Sequence, residues 1–432
     1  MRGIVFASTT ALSIIFASTA FAGSNTVYLG QSGNNQNANI TQNGNNNWVG
    51  TSTSNPFIQE NGSGSGGNKL LVKQSGSSNA IGWLGTAKQS GTNNNADITQ
   101  DGSGGDVEIL QIGTNNGNAG IINNYDSPKG GIYQSGTWGK IAVAQIGSSN
   151  DFNIKQAGNT NNTELAQFGS DLKAVVRQSV NGGSDSHIDS VPNARPGYLP
   201  YVTASPDYPS SALGAHGTIK INQGIATGSA SSDFAYAAQG GGAWNTMTLW
   251  QDGTQQTAAV WQKGDGNSAE SHQYGYSNSL GKVNGYTHKT APFFQLGTGN
   301  QLVNYQFGHD NVVTGLQNGV SNVVSTVQYG SYSSANFLQD GSTNKAYNTQ
   351  YDIANASVTQ LGSNNYSLGT QSGGGWGTYA NNATISQDGS NNSSVYTQSG
   401  TANTLTVSQT GSYNASTVAQ TGGGNQAVIQ QN

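Results

Sequence analysis

Glutamine, in most cases followed two residues later by glycine, is the most repeated chemistry-bearing residue of the chain. Gln134, Gln145, Gln156, Gln167 and Gln178 are eleven residues apart. So are Gln295, Gln306, Gln317, Gln328, Gln339 and Gln350, and again Gln387, Gln398, Gln409, Gln420 and Gln431. Gln89, Gln100 and Gln111 keep the step of eleven, as do Gln251, Gln262 and Gln273. Eleven residues after Gln273 the expected glutamine is Asn284, and Gln295 resumes the register. A primary amide does not ionise near neutrality, but it donates and accepts hydrogen bonds at once. Amides at a constant step therefore point to ladder formation rather than to bond making.

The ionisable residues show no comparable pattern. His187, His216, His272, His288 and His309 are scattered, with none at metal-ligand spacing from another on one strand face. Asp106 and Glu108 are two apart and would share a face, but nothing basic lies beside them in register. The glycines of 62–67 lack the Lys-Ser/Thr and helix of a phosphate loop. No catalytic, metal or cofactor site is expected, and the chain reads as a non-enzyme.

Elements that could hold such a ladder follow from the residues between the glutamines. Each unit has the form Q-x-G-x-x-N-x-A-x-I-x-Q, as in Gln89, Gly91, Asn94, Ala96, Ile98 and Gln100. Asparagine, the small residue, the branched residue and glutamine are two apart, so in a strand they face one way. The intervening Q-x-G-x-x is a turn, with glycine at positive φ. Turn glycines are expected at Gly91, Gly102, Gly297, Gly308, Gly319, Gly330, Gly389, Gly400 and Gly411. An eleven-residue period is also that of a right-handed coiled coil, but the glycine, asparagine and threonine content opposes helix.

Two elevens make a strand-turn-strand-turn circuit of 22 residues. The chain is therefore expected to be all-β: a β-solenoid of about fifteen rungs, with two facing parallel sheets and amyloid-like stacking. Alternate units fall on opposite sheets, and glutamine lies over glutamine. Phe307, Tyr329 and Tyr351 each follow a ladder glutamine at 22-residue spacing, so they should stack on one outer edge, as a stabilising aromatic ladder or a binding platform. A regular threonine array of the ice-binding kind is not kept: Thr404, Thr406 and Ser408 are followed 22 residues on by Gln426, Val428 and Gln430.

Composition agrees. Of 432 residues, 62 are Gly, none is Cys, and 8% are charged, with a formal net charge of −5. Disulfides and cysteine-ligated metals are excluded, and a basic nucleic-acid surface is not expected. Residues 1–22 have Arg2, an apolar stretch from Ile4 to Ala17, and Ala20-Phe21-Ala22, the pattern of a secretory signal peptide cut between Ala22 and Gly23. Repeats are expected over 23–178 and 218–432. Between them, residues 179–217 hold five of the eight prolines and read as an insertion or linker. Tyr198, Tyr201 and Tyr208 make this segment aromatic. Shorter insertions are expected near 53–67, 84–88, 117–129, 229–234 and 373–379.

The Gln, Gly, Asn, Ala and Gln at 89, 91, 94, 96 and 100 resemble, position for position, the curlin repeat of curli subunits. The resemblance implies a β-solenoid secreted from a Gram-negative bacterium that polymerises at the cell surface into functional amyloid. It further implies a nucleator subunit and an outer-membrane export pore as partners, and a role in adhesion and biofilm matrix. The chain is longer than familiar subunits, its repeats begin almost at once after the signal (Asn25, Val27, Leu29, Gln31), and no side chain after Asp388 is charged, unlike a basic nucleator terminus.

Self-association is expected without the resemblance too. Both ends stay in repeat, and the final rung offers Leu405, Val407, Val418, Ala427 and Ile429 to a further strand. The alternative is a monomeric or anchored solenoid adhesin that binds carbohydrate or surfaces through the Pro-rich segment or the aromatic ladder.

Overall fold

The computed structural model describes residues 2–7, 13–17, 24–52, 54–61, 66–82, 87–117, 131–181, 185–189, 214–215, 217–223, 233–240, 242–284, 289–374 and 379–432. Most of 179–217, with Tyr198, Tyr201 and Tyr208, lies outside the described residues, as does the Ala22–Gly23 bond. Parts of the five shorter insertions lie outside them as well. The described chain is built of strands without α-helix. It divides into two compact units, Met1–Ser232 with Gln239–Gly241, and Asp233–Ala238 with Gly242–Asn432.

The first unit has two parallel sheets between which the chain alternates. One contains Thr26–Ser32, Phe57–Glu60, Ala87–Thr92, Asp106–Thr114, Lys140–Ser148 and Asn162–Ser170. The other contains Asn37–Asn45, Lys69–Ser77, Asn95–Ser103, Gly131–Thr137, Asp151–Asn159, Lys173–Asn181 and Thr218–Gln223. Two further strands, Arg2–Ala7 and Ser13–Ala17, pair in parallel with Thr26–Ser32 and Asn37–Asn45.

The second unit repeats the plan. Thr246–Thr254, Ser268–Tyr276, Gln301–His309, Val323–Ser331, Lys345–Asp352, Tyr366–Gly374, Ser393–Ser399 and Ala415–Thr421 form one parallel sheet. Thr257–Lys263, Phe293–Thr298, Val312–Val320, Ser334–Ser342, Ala354–Ser363, Asn381–Ser390, Thr404–Ser412 and Gln426–Gln431 lie in the other. The fold is a β-solenoid in each unit.

Alternation sets the core. In Ser334–Ser342 the inward residues are Ala335, Phe337 and Gln339, all essentially inaccessible. Each fully buried branched or aromatic side chain contributes roughly 1.5–3 kcal/mol. Turns cost backbone strain at two positions: the glycine, as at Gly319 (φ 115°), and a non-glycine two residues on, as at Ser321 (φ 56°). Its amide is bonded to the rung before, Ser321 N to Thr298 O at 2.8 Å.

The structure departs from the eleven-residue reading at one place. Gln262 pairs in register with Gln295, and Gln273 with Gln306, across 33 residues each. Asn284 therefore holds no rung position. Lys282–Asn284 pairs antiparallel with Lys289–Ala291, so the extra eleven residues leave the stack.

Candidate functional site: an axial amide ladder and its outer faces

Every rung places its glutamine inward, and a parallel in-register sheet sets the next glutamine directly over it. Gln317 Nε2 donates to Gln339 Oε1 at 3.0 Å, and Gln339 Nε2 donates to Gln360 Oε1 at 2.7 Å. Most of these amides spend the second proton on a carbonyl of the facing sheet, commonly sixteen residues back, as Gln317 does on Gln301 O at 2.9 Å. That bond ties the two sheets across the rung. A buried amide would otherwise cost more than it gains.

The ladders of the first unit run through Gln31, Gln59, Gln89, Gln111, Gln145 and Gln167, and through Gln42, Gln74, Gln100, Gln134, Gln156 and Gln178 to Gln223. Those of the second run through Gln262, Gln295, Gln317, Gln339, Gln360, Gln387, Gln409 and Gln431, and through Gln251, Gln273, Gln306, Gln328, Gln350, Gln371, Gln398 and Gln420. Gln42, Gln59, Gln74, Gln223, Gln360 and Gln371 stand outside the eleven-residue series read from the sequence, because insertions and one-residue deletions break the count but not the spatial register. In every one of these bonds Nε2 donates toward the C-terminal neighbour. The ladders are therefore polar.

Asparagine clasps most turns, with Gly105, Leu172, Gln256 and Ser333 among the residues that replace it. Asn322 accepts the Asn344 amide on Oδ1 at 3.0 Å, and its Nδ2 donates to Asn318 O and to Gly341 O of the next rung. Glycine is required beside it by stacking as well as by φ. A Cβ at Gly319 would overlap Gly341 O, and the same holds for Gly91, Gly102, Gly297, Gly308, Gly389 and Gly400 against their successors. At Gly330 the neighbour is the Asp352 backbone, a tight contact at 3.0 Å rather than an overlap. Gly411 alone of the expected set meets nothing nearer than Asn432, at 3.8 Å.

The outer face of the second unit carries aromatic columns. Tyr274, Phe307, Tyr329 and Tyr351 stack with ring centroids 5.2, 5.0 and 5.3 Å apart and planes within 9°. Tyr274 extends the three-residue ladder read from the sequence. Both faces of Phe307 and of Tyr329 are taken by neighbouring rings, so the column turns ring edges outward. A second column stacks Trp250, His272 and Tyr305, with His272 Nε2 2.8 Å from Glu270 Oε1.

One contact joins residues that the sequence reading left isolated. Ser331 Oγ is 2.6 Å from His309 Nε2, and His309 Nδ1 is 3.1 Å from Asp310 Oδ2. The signal was present: His309 and Ser331 are 22 residues apart, at equal distances after Gln306 and Gln328. Asp106 and Glu108 are also close, and, against the reading that nothing basic stands beside them in register, Asp106 is paired with Lys140 one rung on in the same sheet. Burial first, then the charge of Glu108, pushes the Asp106 carboxyl up to about 7, against Lys140 and the Val107 amide. Asp233 is likewise raised to about 7, chiefly by burial, with Asp252 adding and the Gln256 amide opposing. Among the described residues no group of three His, Cys, Asp or Glu side chains is placed to hold a metal ion.

Residues 379–411 and 400–432 each match the family model described as the curlin associated repeat. No curated protein matches the chain. The matched residues contain Gln387, Gln398, Gln409, Gln420 and Gln431, and the same glutamine-glycine-asparagine geometry continues through the rungs before them. The match to the curlin associated repeat thus covers residues 379–432, and the described rungs before them share its glutamine, glycine and asparagine geometry.

Proposed function

We propose that the chain is a secreted structural subunit that self-assembles into curli-like amyloid fibres on the surface of a Gram-negative bacterium. The observation that carries this reading is the polar ladder. Each rung is bound to the next by the same amide, asparagine and backbone bonds, so a rung of a second copy can continue the series. Gln420 and Gln431 end the two ladders of the second unit: each accepts the preceding glutamine on Oε1 and spends one Nε2 proton across the rung, on Thr404 O and Ala415 O, which leaves the second proton of each as the donor that a further rung would meet. In the first unit, the ladder that begins at Gln31 has its Gln31 Oε1 buried without a partner among the described residues. Donor edge and acceptor edge are complementary, the condition for head-to-tail, non-closing assembly.

In this reading residues 1–22 are the signal peptide, and cleavage after Ala22 removes the strands that cover Thr26–Ser32 and Asn37–Asn45. Secretion through an outer-membrane pore and initiation by a nucleator subunit complete the scheme, and the fibre serves adhesion and biofilm matrix. Residues 179–217 are an insertion between repeat arrays. The alternative is a single solenoid that binds carbohydrate or surfaces through that insertion or through Phe307, Tyr329 and Tyr351. The outward ring edges of this column favour a stabilising ladder over a sugar platform.

The test is thioflavin fluorescence and fibre diffraction on the purified chain from Gly23 onward. A lag, seedable growth and reflections near the ~4.7 and ~10 Å spacings of stacked sheets support the proposal. A chain that stays monomeric and β-rich at high concentration overturns it and favours the adhesin.

A further inference from the structure

We propose that Ser331, His309 and Asp310 form a hydrolytic centre on the surface of the second unit, acting on esters with an aromatic leaving group. This goes beyond assembly and does not depend on it. His309 and Ser331 are register partners on adjacent parallel strands, so the fold holds them side by side. An ionised Asp310 can only accept, which places the histidine proton on Nδ1, 3.1 Å from Asp310 Oδ2. Nε2 then carries the lone pair and accepts the Ser331 hydroxyl at 2.6 Å. Nucleophile, base and orienting carboxylate thus stand in the order that activates a serine.

Further contacts define the site. The Tyr332 ring packs edge-on against His309 with centroids 5.0 Å apart and planes at 88°, which limits imidazole rotation. The centre is open to solvent, with the His309 side chain 46% and that of Asp310 33% exposed. Phe307 and Tyr329, stacked two residues earlier on the same two strands, offer an apolar edge to an aryl group. The nearby amides of Tyr332 and Ser333 are already bonded, to His309 O and Asn311 Oδ1. With those donors engaged, turnover requires a leaving group that departs easily, hence aryl rather than alkyl esters. His272 makes no such arrangement: its Nε2 faces Glu270, and among the described residues no serine hydroxyl is bonded to it.

The step balances within the site and water. Ser331 Oγ attacks the ester carbonyl carbon as its proton passes to His309 Nε2. The carbon–oxygen bond to the aryloxide breaks, and His309 returns the proton to the departing phenol. Water then attacks the acyl-serine, gives its proton to His309, and the carboxylic acid leaves as Ser331 recovers its hydrogen.

The experiment uses the mature chain, soluble and assembled, with p-nitrophenyl acetate as substrate and an alkyl fluorophosphonate as probe. Expected are nitrophenol release and phosphonylation mapped by mass spectrometry to the peptide carrying Ser331. Ser331→Ala and His309→Gln should each lower the rate by about a hundredfold or more, while His272→Gln leaves it unchanged. Asp310→Asn should lower the rate and alter its pH profile. Wild-type hydrolysis in Ser331→Ala, or a probe that leaves Ser331 unmodified in the unaltered chain, overturns the proposal. The labelling needs no variant, so a folding defect cannot obscure the outcome, and fibre growth is read separately by thioflavin.

Discussion

Gln317 reaches Gln339 through a 3.0 Å amide bond along the stack and Gln301 O through a 2.9 Å bond across it, so a single side chain ties together three strands. Replacing the middle member of such a ladder leaves the two neighbouring amides unpaired along the stack and removes the bond across the rung, which for Gln339 goes to Val323 O. Gln339→Leu should orphan the Gln317 amide donor and the Gln360 acceptor, each at about 1–3 kcal/mol. The expected result is a lower denaturant midpoint, with destabilisation of about 2–6 kcal/mol. Urea unfolding of the soluble chain, followed by circular dichroism, checks it. A change within about 0.5 kcal/mol, the range of ordinary surface substitutions, would mean that the ladder contributes order without stability.

Much of this architecture was legible because each rung must bond to its own likeness. That demand repeats glutamine, glycine and asparagine at fixed positions, and Gln89, Gly91 and Asn94 already display it. What escaped reading depends on pairs of rungs rather than on one. The excursion around Asn284 preserves the count of eleven while leaving the stack. Ser331 meets His309 only once the 22-residue register is applied to turn residues outside the motif. The direction of the amide bonds has no sequence signal, since a glutamine reads the same whichever way its amide points.

Core volume is another two-rung property. Phe293, Gly315 and Phe337 occupy one column, with both phenylalanines buried and a Cβ on Gly315 2.6 Å from the Phe293 ring. Most rungs carry a branched residue there, so a consensus substitution would appear stabilising. Gly315→Val should instead overpack the column and cost about 1–3 kcal/mol. Paired with Phe293→Val, it should recover part of that loss, and a double-mutant cycle on the urea midpoint measures the coupling. Additive effects would show that the two positions do not share volume.

Two raised carboxylates give the fold a pH dependence. Burial pushes the Asp106 and Asp233 carboxyls up to about 7 in the folded chain, against an ordinary value of 3.8. Between those limits the folded chain holds protons that the unfolded chain has released. Stability is therefore present in full below the unfolded value and is lost as pH rises through about 7. Asp233→Asn, which restores the residue type usual at that turn and keeps an acceptor for the Gln256 amide, should flatten the profile. Asp106→Asn should do the same in the other unit. Thermal unfolding from pH 4 to 8 measures both, and an unchanged slope in either variant would deny that carboxylate its part.

Glycine at the turn separates folding from assembly. At Gly319 an added methyl overlaps Gly341 O, and the positive φ of 115° adds strain, so Gly319→Ala should fold poorly. At Gly411 the φ of 94° is equally unwelcome to alanine, but the space above is open, with Asn432 3.8 Å away. The soluble chain should therefore lose only about 1–2 kcal/mol in Gly411→Ala. If a second copy stacks on this edge as one rung stacks on the next, its backbone must occupy that open space, and the methyl blocks it. Gly411→Ala is thus expected to retain strand content as a monomer while fibre elongation from added seeds is abolished. No charged side chain follows Asp388, so elongation of the unaltered chain from this edge should vary little with salt. Elongation of Gly411→Ala at the unaltered rate would place growth on another edge, and a strong salt dependence would point the same way.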